Sequence, residues 1–484
     1  MHSVRVPDNL DLEEMIVSNP PTTFRVTQRS IEMLYYYCSV LVQLRIKHGG
    51  YNETNNGFIP LHSRYLKTIH ESYIDYLNYL VEVDILESDG RYIKGEKSKG
   101  YKFNTNYIGV PLKVVELKDF VLCKNIKRQQ ADRLKLKKQR LRKYDHILKW
   151  FISGGLEIDA EAALSWVSSQ YQQATLNIMF SDASDKELEA KKLYDVWQAS
   201  RIFVERLHNH DFGIEDFSTD DFGRRLHGMF TYQRKELRNF ISFRDCKLVS
   251  VDIKNSQPYF STLLLDGDFW KSKKTNTTRV KISEINGELY GRIRKKGRIC
   301  ESIKWLNSSK RLIRQRISTC RYKEDAVNGS LYENFERKLQ EQLPPDYIEK
   351  YADRVVGRDG VKKEVLRTLY CKNSVLHWQF YLPSRVFHSS YPDAMRFFKV
   401  IKQENHKLLA EIIQQIESFC VLNLICGRIA RERPKLPIFT IHDSVVTTLG
   451  NEQYVKDVII DVLSLKVGAP PQLKIEIWDR SNPE

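Results

Sequence analysis

Apolar residues recur at helical spacing over Thr27–Ile46, Leu61–Ile69 and Tyr73–Val83, then shorten into two alternating segments, Arg91–Ile93 and Tyr101–Phe103. Three helices followed by a strand pair predict a winged-helix-like unit over residues 1–110. Its later helices would form the helix-turn-helix. Its wing would carry Lys94, Lys97, Lys99 and Lys102, placed for phosphates. Units of this kind also dock other proteins, and the pattern allows either use.

Residues 124–149 carry only a thin apolar pattern, Leu134, Leu136, Leu141 and Ile147, within a run of Lys and Arg opposed by Asp132 and Asp145. This predicts a basic helix joining two domains. It is either a solvated face or, the reading favoured here, a contact with a nucleic-acid backbone. Helical periodicity continues to about residue 208, so residues 111–219 read as a basic helical connector, thumb-like in character. A second basic stretch covers residues 271–321. His208, His210, Asp211, Glu215, Asp216, Asp220 and Asp221 are irregularly spaced among Gly and Ser, which fits a solvated acidic loop better than a metal site.

Two apolar, β-branched runs end in carboxylates. One is Lys247–Asp252, followed closely by Gln257 and by Pro258, which stops any ladder. The other runs from Pro437 to His442-Asp443-Ser444, where a tight turn feeds a returning strand, Val445–Thr448. Either Asp alone would be an ordinary turn residue. A third segment changes that: Arg358, Lys362, Leu366 and Tyr370 recur every four residues and so share one helical face. An ordinary surface helix would turn the leucine and the tyrosine away from the cations.

Composition narrows the partners. Lys and Arg number 77 against 61 Asp and Glu, giving a net charge of +16 and a polyanion as the favoured partner. The eight cysteines form no CxxC pair, which argues against a zinc module or a secreted disulfide framework and predicts a reducing, cytoplasmic setting. No signal-like N-terminus and no run of 18 apolar residues is present, so no membrane role is expected. P-loop, HExxH and Ser or Cys nucleophile motifs are absent as well.

The Arg358-x3-Lys362-x7-Tyr370 helix resembles the fingers motif of family A DNA polymerases and single-subunit phage-type RNA polymerases, with KKEVLRTLY closest to the RNA enzymes. Asp252 falls on that superfamily's first palm motif and His442-Asp443-Ser444 on its His-Asp motif. Gly223-Arg224-Arg225-Leu226 with Glu236, Arg238 and Phe240 resembles the stretch preceding the first palm motif. The resemblance covers about residues 220–450 and implies a divergent enzyme of the plasmid- or phage-encoded kind.

What the resemblance implies is an α+β fold: a right-hand polymerase palm with helical fingers and thumb, preceded by the winged-helix-like domain. The palm would be split between residues 220–265 and 431–484, with the fingers over 266–430. Two Mg²⁺ ions, or Mn²⁺, would sit on Asp252, Asp443 and the carbonyl of Ile253, between them activating a 3′-hydroxyl and stabilising the leaving pyrophosphate. Arg358, Lys362, Leu366, Tyr370 and Gln257 would hold the nucleoside triphosphate, with Lys362 also a proton donor. Arg225, Arg238 and His442 would meet template or primer. Gln257, nearly isosteric with the sugar-gating Glu of the DNA enzymes, favours deoxynucleotides, whereas Leu366, Cys371 and Ser444 point to the RNA enzymes. DNA polymerase is preferred and RNA polymerase or primase follows. A non-catalytic winged-helix replication or transcription factor is the reading from another class.

Overall fold

The computed structural model describes residues 1–50, 56–90, 92–93, 98–271, 278–295, 301, 321–374 and 381–480. Its strands are β1 (His2–Pro7), β2 (Ile59–Pro60), β3 (Leu86–Ser88), β4 (Gly100–Phe103), β5 (Leu112–Leu117), β6 (Leu156–Ile158), β7 (Ser218–Thr219), β8 (Leu226–His227), β9 (Ile241–Phe243), β10 (Cys246–Ile253), β11 (Ile438–Ile441), β12 (Ser444–Thr448) and β13 (Leu473–Ile477). Helices make up most of the rest, so the chain is a mixed helix and sheet protein.

Two apolar cores divide it. The first gathers side chains from Val4 to Ile126, the second from Leu141 to Trp478. In the first, the Gln28–Lys47 helix starts on a capping box, with Thr27 and Ser30 bonding each other's backbone, and is buried along Met33–Val42. Helices Ser63–Lys67 and Tyr73–Glu82 follow, then a small sheet ordered β2-β4-β3. Ile93, in the expected strand Arg91–Ile93, makes an isolated bridge, and β4 pairs with β3, Leu86 facing Phe103 and Ser88 facing Tyr101. Arg91 and wing residues Lys94 and Lys97 lie outside the described residues, and Lys102 is paired with Glu87 at 3.0 Å. β1 pairs with β5 from His2↔Leu117 to Pro7↔Leu112, so the first core runs past residue 110.

The basic segment is two helices. Phe120–Leu141 ends in a 3₁₀ turn, Arg142–Tyr144, and Asp145–Phe151 follows. Leu122, Cys123 and Ile126 anchor its start in the first core, and Leu141 and Ile147 belong to the second. Leu136, expected in its apolar pattern, is exposed. The helix therefore bridges the two cores, with most of its charged middle in solvent and Lys137 turned to the Glu215 carbonyl.

The second core is organised by a six-stranded sheet ordered β11-β12-β10-β9-β6, with β13 also on β10. β6 comes from the stretch assigned to the connector, so the sheet starts before residue 220. β9 and β10 are joined by a two-residue turn in which Arg244 and Asp245 both have positive φ, as the twist of a tight hairpin demands. β10 is central and packed on both sides: Leu248, Val249 and Val251 have no exposed surface. Behind the sheet a continuous apolar run, Leu408–Glu432, is long and apolar enough to cross a membrane, but 78% of its window is buried within the protein, as befits a core helix. Its middle, Phe419–Ile425, winds as a π-helix.

Candidate active site

Register brings the two carboxylates together. β10 and β12 pair antiparallel with Asp252 opposite Ser444, so Asp443, the next residue back on the turn from β11, lies beside Asp252. Ser444 Oγ donates to Asp252 Oδ1 at 3.1 Å. Ser256, at the start of the short Ser256–Ser261 helix, bonds the Asp443 carboxylate. His442 (φ 51°), just before Asp443, and Asn255 (φ 53°), three residues after Asp252, are left-handed without being glycine, a conformation that concentrates at functional sites.

The electrostatics follow from this packing. Burial, then the neighbouring Asp443, push Asp252 up to about 7, partly offset by Ser444 and Lys362. Asp443 is likewise raised, by burial, against the pull of Ser256, Arg225 and Lys362. Two carboxylates desolvated side by side repel unless a proton or a cation sits between them. Among the described residues no group of three or more His, Cys, Asp or Glu is arranged for a metal. An oxygen pair of this kind suits a hard cation that takes its remaining ligands from water and phosphate.

The Arg358–Tyr370 helix presents its predicted stripe to this pair. Val361, Glu364, Val365, Thr368 and Leu369 are buried on the other side, Arg358 and Lys362 are exposed, and Leu366 and Tyr370 are half-buried. Arg358 donates to Asn255 Oδ1 at 3.3 Å, pairs with Glu333 and lies over the Tyr332 ring at 5.2 Å. The far end of the helix is pinned by Lys402, buried, whose ammonium donates to the carbonyls of Thr368 (2.9 Å) and Cys371 (3.2 Å). Lys is well placed there, at the negative end of the helix dipole.

Gln257 is held on both sides of its amide. Tyr370 donates to Gln257 Oε1 at 2.6 Å, and Gln257 Nε2 donates to Glu417. The same Glu417 accepts two bonds from Arg225, at 2.9 and 2.7 Å. Glu417 is buried and pushed up to about 7, by burial and then by Asp443, against Arg225 and Gln257. It precedes the π-helical stretch by two residues, a local unwinding common at functional sites. Sequence reasoning missed Glu417; a lone acidic residue in an apolar run, Ile412 to Ile425, was the available signal.

Asp220, expected in a solvated loop, instead organises the turn carrying Arg225. It accepts from the amides of Gly223 and Arg225 and from His227 Nε2 at 3.0 Å. His227 contacts the His442 ring at 5.6 Å between centroids. His442 is pushed down to about 4 by burial and then by Arg225, His227 and Arg238, so it is neutral near pH 7. Arg238 is tied to the Phe230 carbonyl at 2.9 Å, with its charge directed toward Glu476, Glu236 and Asp252. Ile253 closes β10 with its side chain buried, opposite Leu473.

No protein-family model and no curated protein matches the chain. Among solved structures, the POL domain of Pol1 from M. smegmatis, in complex with DNA primer-template and dNTP, overlaps 74% of this chain and 73% of its own, at 12% identity and a TM-score of 0.27. A likeness of that size does not establish a shared fold. The functional reading therefore rests on the residues described above.

Proposed function

We propose that this chain is a template-directed nucleic-acid polymerase that transfers a nucleotidyl group from a nucleoside triphosphate to a 3′-hydroxyl. One observation carries the reading: Asp252, near the end of β10, and Asp443, on the turn between β11 and β12, meet at one end of the strands and share the field of Lys362. A structural sheet gains nothing from two desolvated carboxylates side by side, whereas metal-assisted phosphoryl chemistry requires them. Divalent ions, Mg²⁺ or Mn²⁺, would be held by the two Asp side chains and the Ile253 carbonyl, and when bound they supply Lewis-acid stabilisation of the pentavalent phosphate.

The chain's own residues then have distinct tasks. Arg358 and Lys362 neutralise the triphosphate, and Lys362 can give a proton to the leaving pyrophosphate oxygen. Leu366 and Tyr370 continue that face toward the nascent pair. Gln257, fixed between Tyr370 and Glu417, fills the place beside the sugar, which favours deoxynucleotides. Arg225, Arg238 and His442 line the approach of template or primer. The helix and strand order of the N-terminal unit, from Gln28–Lys47 through the β2-β4-β3 sheet, supports a winged-helix role in nucleic-acid binding there. We assign the activity to the cytoplasm.

Primer extension on a defined template, with dNTP and NTP pools run in parallel and Mg²⁺ present, tests the reading. Template-dependent products that vanish in Asp252→Asn and Asp443→Asn support it. Their absence under both pools, from a folded protein that binds the template, would return the chain to a non-catalytic nucleic-acid-binding factor.

A further inference from the structure

The N-terminal unit is not tethered at a distance from the body. Gly49 and Gly50, both at positive φ, sit so close to the backbone of Tyr232 and Val196 that a Cβ would lie 2.8 Å and 2.6 Å from it. Buried Arg45 pairs with buried Asp195 at 3.0 Å across the same junction. A path of rings leads inward from it: Lys47 Nζ lies 5.5 Å from the Tyr232 ring centroid, Tyr232 stacks on His227 at 5.9 Å, and His227 touches His442, the neighbour of Asp443.

Cations crowd this junction. Lys47 ends the Gln28–Lys47 helix, and Arg133 and Lys137 stand one turn apart on the Phe120–Leu141 helix. Arg133 lies over the Tyr65 ring at 4.3 Å, and Lys137 donates only to a main-chain oxygen, that of Glu215. Among the described residues none of the three has a carboxylate at ion-pair distance. Asp216, whose charge reaches Lys47 and Lys137, is taken by Arg206 through two hydrogen bonds of 3.1 and 3.0 Å. Burial, then Lys47 and Arg133, hold Lys137 down to about 8, against the smaller pull of Asp216 and Glu215.

We propose that Lys47, Arg133 and Lys137 form a phosphodiester-binding site at this junction, which grips the backbone of a nucleic-acid strand on its way to or from Asp443. The binding stands on this grouping of cations and rings; the direction of the strand rests on the polymerase reading. Three cations drawn from two helices, flanked by Tyr65 and Tyr232, match a strand that offers both phosphates and bases to stack. An isolated phosphate would leave the row of rings unused.

The test is binding of a fluorescent single strand and a primer–template to the full chain between 50 and 200 mM KCl. The variants are the triple change Lys47→Gln, Arg133→Gln, Lys137→Gln and the charge-preserving Lys47→Arg, Arg133→Lys, Lys137→Arg. Neutralisation should weaken affinity at least tenfold at 100 mM salt. It should also flatten the plot of log K against log salt by about 2 for a single strand and about 2.7 for a duplex, from about 0.7 and 0.9 per lost contact. The charge-preserving variant should keep the wild-type slope, which guards against a folding defect. Asp443→Asn should lose synthesis yet keep the slope, so that failure of the polymerase reading is distinguishable from failure of this one. An unchanged slope in the neutralised triple variant overturns the proposal. So does displacement of the strand, at matched ionic strength, by millimolar inorganic phosphate or by polyglutamate, which would mark a small-anion site or an acidic-protein site instead.

Discussion

Asp252 and Ser444 face each other across the β10–β12 ladder, and the serine hydroxyl donates to the Asp252 carboxylate at 3.1 Å. The pairing has a consequence beyond that single bond. Side chains alternate across a strand, so a slip of one residue would turn Asp252 to the opposite face and separate it from Asp443. The register is held by Leu248, Val249 and Val251, all fully buried, and by β13 on the other edge of β10. The apolar strand thus sets the position of the polar chemistry.

The first prediction concerns that pair. Asp252→Asn or Asp443→Asn should lower synthesis by about 10³-fold or more, several kcal/mol of lost charge stabilisation, while template binding changes little. Because each substitution also removes one member of a repelling pair, the metal-free protein should melt at a higher temperature in both variants. Thermal melts in EDTA check this. A fall in melting temperature would mean that the carboxylates stabilise the fold and are structural after all.

Lys362 and Arg358 are exposed, so their loss should cost the fold little, within about 0.5 kcal/mol. Lys362→Ala should nevertheless lower kcat on the order of 10²-fold, the scale of one removed transition-state donor. Arg358→Ala should act mainly through the nucleotide KM. Glu333→Gln, which frees Arg358 from its surface partner, should leave kcat unchanged or raise it. Steady-state kinetics with purified variants separate these outcomes, and equal effects of Lys362→Ala on kcat and on stability would remove Lys362 from the chemistry.

Much of this site was legible because it obeys short-range rules. A β-branched run ending in Asp, a tight turn carrying His442-Asp443, and a four-residue spacing of Arg358, Lys362, Leu366 and Tyr370 each follow from local geometry. What was not legible depends on contacts distant in sequence. Glu417 meets Arg225 across 192 residues and Gln257 across 160, and Lys402 meets the carbonyl of Thr368 across 34. Strand β6 joins the sheet through β9, and β5 returns to β1 from 110 residues downstream, so boundaries drawn at 110 and 220 cut through sheets. Asp220 read as solvated because Gly and Ser surround it, whereas its carboxylate closes the turn.

Asp220 also supplies a pH dependence. Burial would raise its carboxyl, but bonds from His227, Gly223 and Arg225 outweigh this and hold it down to about 2, below the ordinary value of 3.8. A carboxylate depressed in the folded state stabilises the protein above the unfolded value, and that contribution is lost as pH falls from about 4 toward 2. The turn over residues 220–227 should therefore loosen in this window, seen as faster hydrogen exchange at the Gly223 and Arg225 amides. Asp220→Asn should exchange at that faster rate already at pH 6. Slow exchange in the variant at pH 6 would show that the turn does not depend on the charge.

The last prediction concerns sugar choice. Gln257 is fixed by Tyr370 on one side and Glu417 on the other, so its amide cannot swing aside without breaking a bond to each. A 2′-hydroxyl pressed against a group so held is worth about 1–3 kcal/mol, roughly 5- to 150-fold. The wild type should prefer dNTPs in kcat/KM, and Gln257→Gly should admit NTPs by a factor in that range. Tyr370→Phe removes one of the two restraints and should shift the ratio in the same direction, but less. The two changes together should be less than additive, since the residues touch. Glu417→Ala is expected to cost the fold about 3 kcal/mol by stranding Arg225, so Glu417→Gln, which keeps a hydrogen-bonding partner, is the informative variant. It should alter sugar preference with little loss of melting temperature. If the wild type prefers NTPs, and neither Gln257→Gly nor Glu417→Gln moves the ratio, Gln257 is no gate and the enzyme is better understood as an RNA polymerase.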